Sequence, residues 1–340
     1  MQKLYRVALA LILAALVLGI TSCGQVGVQG TSGSGGGNSN TNGPIKIAVV
    51  PKAIGFSYWE QVRQGAVCAA SKQQQVTVQW NGVTAETDVT GQINLLQNFI
   101  TQGVNGLVYA ATDAKALKQV TDQALQNKIT VVNIDSGTIP QPSNVPVFAT
   151  DNVAAAQKAA DLLSQALNGK GKIAFIPFQP GTLTNDQRTQ GFKQGLTKHP
   201  GLQLVSEQSS QSDENTALTV TSNILTAHPD LNGIFAANEP GVLGAAEAVR
   251  RAGKAGKIVI IGWDAAPDEI KGVQQGLISA LVVQNPFKMG FDGVNAAVKM
   301  IRQHAQVQNE DTGVTFVTKD NINDQKVQAV LNPSCSNPPT

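Results

Sequence analysis

From Pro44 onward, short β-rich runs alternate with longer amphipathic stretches, and this alternation restricts the body of the chain to parallel sheets with helices on both faces. Ile45-Lys46-Ile47-Ala48-Val49-Val50 reads as a strand, followed by a helix through Lys72. Val76–Trp80 is the next strand, and Val89–Thr101 is a helix with apolar residues at Ile93, Leu96 and Ile100. Strand Leu107–Tyr109, helix Ala114–Gln126 and strand Thr130–Ile134 follow, with Asp113 as a helix N-cap. After Val147–Thr150 the pattern restarts: helix Val153–Leu167, strand Ile173–Ile176, helix Asp186–Thr197 and strand Gln203–Ser206. Helix Glu214–Ala227, strand Gly233–Ala236, helix Val242–Ala252 and strand Ile258–Gly262 complete the second set. Two similar α/β sets in 340 residues imply two similar lobes, since single cores split beyond about 250–300 residues.

The first residues read as an export signal. Lys3 and Arg6 precede the apolar run Val7 to Ile20, which is shorter than the roughly 20 residues that cross a bilayer and suits a signal h-region. The run ends Ile20-Thr21-Ser22-Cys23, which resembles the bacterial lipobox and implies lipidation of Cys23. Residues 24–44, rich in Gly, Ser, Asn and Thr, cannot bury anything and read as a tether reaching roughly 25 Å. No Gly-Lys-Ser/Thr follows these glycines and no strand precedes them, so they are not a phosphate cradle.

Without residues 1–22 the acidic and basic side chains balance at 23 each, and no basic run remains to mark a nucleic-acid partner. The three cysteines and three histidines have no zinc-framework spacing, and no cofactor motif is present. In an oxidising compartment Cys68 and Cys335 suggest a disulfide stapling the Pro-rich tail to the first helix; two free thiols are the alternative.

Ligands of open α/β sheets bind beyond the carboxyl ends of the strands. Here four of those ends are polar: Asp135-Ser136, Asn238-Glu239, Trp263-Asp264 and Gln284-Asn285. Carboxylates accept from two hydroxyls at once, so Asp135 and Asp264 suit a polyhydroxylated ligand. Asn238 and Gln284 donate and accept as a hydroxyl does, and Arg188 supplies a planar fork of donors. Tyr58, Trp59 and Trp263 offer rings for the apolar faces of a sugar.

These stretches match a family pattern. Phe56-Ser57-Tyr58-Trp59, Ile134-Asp135-Ser136-Gly137, Ala149-Thr150-Asp151-Asn152 and Gln187-Arg188-Thr189-Gln190-Gly191-Phe192 occur in family order. Ala237-Asn238-Glu239, Gly262-Trp263-Asp264, Gln284-Asn285-Pro286-Phe287 and Asp311-Thr312-Gly313-Val314 continue it. The chain resembles the periplasmic sugar-binding proteins of bacterial ABC transporters, of the ribose-binding type, over about residues 45–320. The resemblance implies two Rossmann-like lobes, 45–150 plus 285–312 and 151–284 plus 313–340, joined by three crossings near Thr150, Gln284 and Thr312. It implies a non-enzymatic monomer whose cleft closes over one sugar or sugar alcohol and whose partner is a membrane permease, without cofactor, metal or nucleic acid. A ligand set of Phe56, Tyr58, Trp59, Asp135, Ser136, Gln179, Arg188, Asn238, Trp263, Asp264 and Gln284 follows. This chain departs from ribose-binding proteins at Lys52, Phe56, Ala110 and Ser136, and Gln179 adds an amide, so a different pentose, a hexose or a polyol fits as well as ribose.

Three other readings compete. A lac-repressor-type effector domain would begin with a basic helix-turn-helix, which is missing here. A glycosidase pair would need one carboxyl kept protonated, whereas Arg188 is expected to keep both aspartates ionised. A sensor that passes the closed form to a chemoreceptor or signalling partner would use the same closure.

Overall fold

The computed structural model describes residues 43–336 and 338; the expected signal, the expected lipidation at Cys23 and nearly all of the expected tether lie outside the described residues. The strands and helices of the first half are β1 (Ile45–Val50), α1 (Ser57–Ser71), β2 (Val76–Trp80), α2 (Val89–Thr101), β3 (Gly106–Tyr109), α3 (Leu117–Gln126), β4 (Thr130–Ile134) and β5 (Val147–Ala149). The second half has α4 (Asn152–Ala166), β6 (Gly171–Ile176), α5 (Leu183–Leu196), β7 (Leu202–Glu207), α6 (Glu214–Ala227), β8 (Gly233–Ala236), α7 (Glu239–Arg251), β9 (Val259–Trp263), α8 (Pro267–Gln275) and β10 (Ala280–Gln284). α9 (Pro286–Gln303), β11 (Glu310–Asp311), β12 (Val314–Thr318) and α10 (Gln325–Leu331) close the chain. No described helix is long and apolar enough to cross a membrane.

The strands form two six-stranded sheets, ordered β2-β1-β3-β4-β5-β11 and β7-β6-β8-β9-β10-β12. The first five strands of each follow the same doubly wound order, with a switch point beside β1 in one sheet and β6 in the other. Every pairing is parallel except that of β10 with β12. Central strands such as β3 and β8 are wholly buried, as continuous apolar runs in parallel sheets must be. The chain passes between the sheets three times, at β5 to α4, β10 to α9 and β11 to β12. At two of these crossings the Asp311 carboxylate accepts the amides of Asp151 at 3.1 Å and Gly313 at 2.9 Å, tying the strands together.

Close helix crossings brace each lobe. A Cβ at Gly65 of α1 would stand 1.9 Å from the Phe287 carbonyl oxygen of α9, and one at Gly191 of α5 would stand 2.3 Å from that of Val153 in α4. Only glycine lets these backbones approach so closely. Cys68 of α1 is bonded to Cys335, with their Cα atoms 5.5 Å apart.

Helix starts are where the structure departs from the sequence reading. α5 begins at Leu183 rather than Asp186, because the Thr182 hydroxyl accepts the Asn185 amide. α7 begins at Glu239 rather than Val242, capped by Asn238 and led by Pro240. α3 begins at Leu117 rather than Ala114, because Asp113 spends its carboxylate on the amides of Lys115 and Ala116 in a separate turn.

Candidate functional site

The carboxyl ends of both sheets face one cavity. Lys52 follows β1, Asp135 follows β4, Phe178 follows β6, Asn238 follows β8, Asp264 follows β9, and Gln284 ends β10. The cleft is nearly filled by its own side chains, with a cavity volume of about 20 Å³. That is far below the roughly 300–1,000 Å³ of small-molecule sites, so the lining side chains must shift to admit a ligand.

On the first lobe Asp135 organises the wall. Its Oδ1 accepts the Tyr58 hydroxyl at 2.9 Å, and its Oδ2 pairs with the Lys52 ammonium at 2.9 Å. Lys52 also donates to the Thr184 hydroxyl of the second lobe at 3.1 Å, and it stands over the Trp59 and Phe178 rings at 5.6 and 5.3 Å. Burial, with the Asp135 charge next in size, pushes the Tyr58 phenol well above its ordinary value, so it remains a donor. Trp59 is nearly fully buried and meets Tyr58 edge-on, while half-buried Phe56 closes the rim.

On the second lobe Arg188 reaches in from α5. Its Nε donates to Asn152 Oδ1 at 2.8 Å and its Nη1 to the Ala237 carbonyl at 2.7 Å, so the rest of its fork remains for the cavity. The guanidinium lies 4.1 Å from the Trp263 ring centre and 5.1 Å from that of Phe178. Asp264 Oδ1 accepts the Gln284 amide at 2.8 Å and its Oδ2 the Glu239 backbone N–H at 3.1 Å. Gln284 Oε1 is buried with no hydrogen-bond partner, an acceptor held ready for a donor.

Neither aspartate caps the helix that follows it. Asp135 and Asp264 sit at φ of 58° and 84°, left-handed backbone that aspartate tolerates better than most residues, just past their strands. The electrostatics differ from expectation at Asp264. Burial pushes its carboxyl up, and the opposing Arg188 charge only moderates that rise.

Of the expected ligand set, Phe56, Tyr58, Trp59, Asp135, Arg188, Asn238, Asp264 and Gln284 line the cavity. Trp263, Ser136 and Gln179 do not. Trp263 is fully buried behind Arg188 and against Phe235; Ser136 is fully buried with its hydroxyl unpartnered. Gln179 points its backbone carbonyl at the Thr182 hydroxyl, and its neighbour Phe178 takes the cavity wall. Lys52, Glu86, Phe178, Glu239 and Pro240 also line the cavity and were missing from that set. Lys52, Phe178 and Glu239 obey the strand-end rule that found the aspartates; Glu86 carries no such signal. Among the described residues no group of His, Cys, Asp or Glu side chains is placed to hold a metal ion.

A family model described as a periplasmic binding protein domain matches residues 47–305. The chain is 31% identical over 283 residues to a D-ribose/D-allose-binding protein of Pseudomonas aeruginosa, covering 80% of this chain and 88% of that protein. An ABC transporter solute-binding protein from Agrobacterium vitis, solved with bound D-fucose, superposes with a TM-score of 0.81 at 36% identity, covering 84% of this chain and 99% of that one. A carbohydrate transporter solute-binding protein from Agrobacterium radiobacter, solved with D-arabinose, gives a TM-score of 0.81 at 32% identity, covering 85% and 99%.

Proposed function

The chain belongs to the periplasmic binding protein family, as a ribose-type sugar-binding protein of ABC transport, and from that premise we propose which ligand it takes and how it delivers it. It captures one neutral monosaccharide or sugar alcohol between its lobes and presents the closed form to a membrane permease. Export through residues 1–22 and a lipid on Cys23 would keep it at the membrane surface, with residues 24–44 as the leash.

The observation that carries this reading is the convergence of Asp135, Arg188, Asn238, Asp264 and Gln284 from both lobes on one cavity, with the Gln284 acceptor unpartnered. Carboxylates and an amide oxygen fit the donors of vicinal hydroxyls, Arg188 fits their acceptors, and Phe56 and Trp59 fit the apolar sugar faces. The cavity wall carries four carboxyl groups, on Glu86, Asp135, Glu239 and Asp264, against two cations, Lys52 and Arg188. That balance disfavours sugar acids and sugar phosphates. Only the closed form lets both lobes touch the ligand, so differential affinity for it drives hinge closure about the three crossings.

A thermal-shift screen against D-fucose, D-arabinose, D-ribose, D-allose and xylitol tests the reading. Ligand at about 100 times its Kd adds roughly 2.7 kcal/mol and raises Tm by about 5–10 °C. A hit among neutral sugars or polyols with none among uronates is expected. Flat curves throughout, from protein freed of any carried ligand by refolding, would remove this ligand class.

A further inference from the structure

One strand end points to a residue that the cleft does not use. β2 ends at Trp80, opposite Val49 of β1 and so at the same sheet edge as Lys52, yet Trp80 does not line the cavity described above. It lines a separate groove of about 830 Å³ on the flank of the cleft, a volume within the roughly 300–1,000 Å³ of small-molecule sites. Of the three tryptophans, Trp59 and Trp263 are 2% and 0% exposed, whereas Trp80 is only half-buried. Phe56 and Trp59 line both the groove and the cavity, so the two share one aromatic wall.

The rest of the groove has the chemistry of a saccharide site. α1 contributes Gln61 and Gln64, α8 contributes Gln274, and the end of α10 contributes Gln328 and Asn332. Amide side chains donate and accept together, as sugar hydroxyls do. Gln328 and Asn332 are tied to one another, but the side chains of Gln61 and Gln274 are committed to no described residue. The one charged side chain among the described lining residues, Glu60, is spent on Arg63 through hydrogen bonds of 2.8 and 2.6 Å. The lining thus offers no free charge to an ionic ligand, while Trp80 and Phe56 offer rings to the apolar face of a sugar. Gln64, Gln274 and Asn332 are exposed, so the groove is open along its length and leaves room for a chain whose ends project outward.

We propose that this groove is a second carbohydrate site, which binds a neutral oligosaccharide beside the enclosed cleft. Trp80 stacks on one ring, and the amides of α1 and α8 bond the hydroxyls of the next. The proposal goes beyond the monosaccharide reading and does not depend on it.

Tryptophan emission of the full chain, titrated with lactose, cellobiose, maltotriose and sialyllactose, tests this. Trp80 is the solvent-facing reporter, and a sugar ring over its indole should shift the emission to the blue. At least one of the three neutral oligosaccharides should give a saturable shift, and sialyllactose, which carries a carboxylate, should bind more weakly. In calorimetry Trp80→Ala should abolish the binding. Gln61→Ala and Gln274→Ala should each weaken it by about threefold or more, as the loss of one hydrogen bond does. An unaltered Tm for these two variants shows that the fold is intact. No saturable shift with any neutral oligosaccharide, equal affinity in Trp80→Ala and wild type, or equal binding of sialyllactose overturns the proposal. Because Trp80 does not line the cleft, failure here is separate from failure of the monosaccharide screen.

Discussion

Asp135 and Asp264 hold the same place in two lobes: each follows the fourth strand of a doubly wound sheet, on left-handed backbone, with its carboxylate buried. Their surroundings differ. Asp135 is neutralised inside its own lobe by Lys52 and accepts the Tyr58 hydroxyl. Asp264 accepts from neutral donors, the Gln284 amide and the Glu239 backbone, while Arg188 donates to Asn152 and Ala237. One fold position therefore carries two electrostatic solutions. The first lobe balances its charge before ligand arrives; the second leaves its carboxylate to be completed by ligand hydroxyls.

The comparison breaks most sharply at Asp135. Asp135→Ala strands a 3%-exposed ammonium in the cleft, and it should destabilise the fold by about 3–5 kcal/mol in urea unfolding. A stability equal to wild type would mean that Lys52 is solvated in solution and the lobes are less different than they look. Asp264→Ala leaves two neutral donors unpaired and should cost the fold only about 1–3 kcal/mol. Its main effect is on the ligand: losing charge-assisted bonds at about 1.5–3 kcal/mol each should weaken Kd by roughly a hundredfold in calorimetry. Equal Kd for Asp264→Ala and wild type would remove Asp264 from the site.

Proton linkage sharpens the contrast further. Burial pushes the Glu239 carboxyl up to about 7 in the closed form, with Asp264 adding to the rise and the Ser57 and Tyr58 amides opposing it. Glu269, from α8 of the same lobe, is itself pushed up by burial and by the Asp264 and Glu239 charges. If opening restores the ordinary value of Glu239, closure takes up a proton between about pH 4.5 and 7. That contribution is fully present below the open-state value and is lost as pH rises through about 7. Sugar affinity should thus strengthen by about tenfold, roughly 1.4 kcal/mol, from pH 8 to pH 6, and Glu239→Gln should flatten the profile. A flat wild-type profile would show that Glu239 has the same surroundings in both forms. The smallest effect is expected at Trp263→Phe, which weakens the ring contact of Arg188 by under about 1 kcal/mol in affinity.

The strand-end rule made much of the candidate cavity wall legible. Asp135, Asn238, Asp264 and Gln284 were found because a parallel strand delivers its next residue to the sheet's carboxyl edge whatever the rest of the chain does. The rule says which edge a residue reaches, not which way its side chain turns. Hence Ser136 and Gln179 fell outside the cavity wall, while Phe178, one residue from Gln179, joined it. Trp263 reached the site as support for Arg188 rather than as its lining. Glu86 gave no sign at all, since it sits in an irregular loop and its partner Ser212 is 126 residues away.

The sequence alone determined the alternation of elements, and with it two doubly wound sheets and the edge at which the polar residues gather, because periodicity and strand ends are local properties. Tertiary structure alone decided the partners: Lys52 with Asp135, Glu239 with the start of α1 over 181 to 182 residues, and Glu86 with Ser212. The first needs two strand ends of one sheet side by side, the other two depend on how the lobes approach, and the balance of desolvation against pairing that sets their charges exists only in the folded cleft.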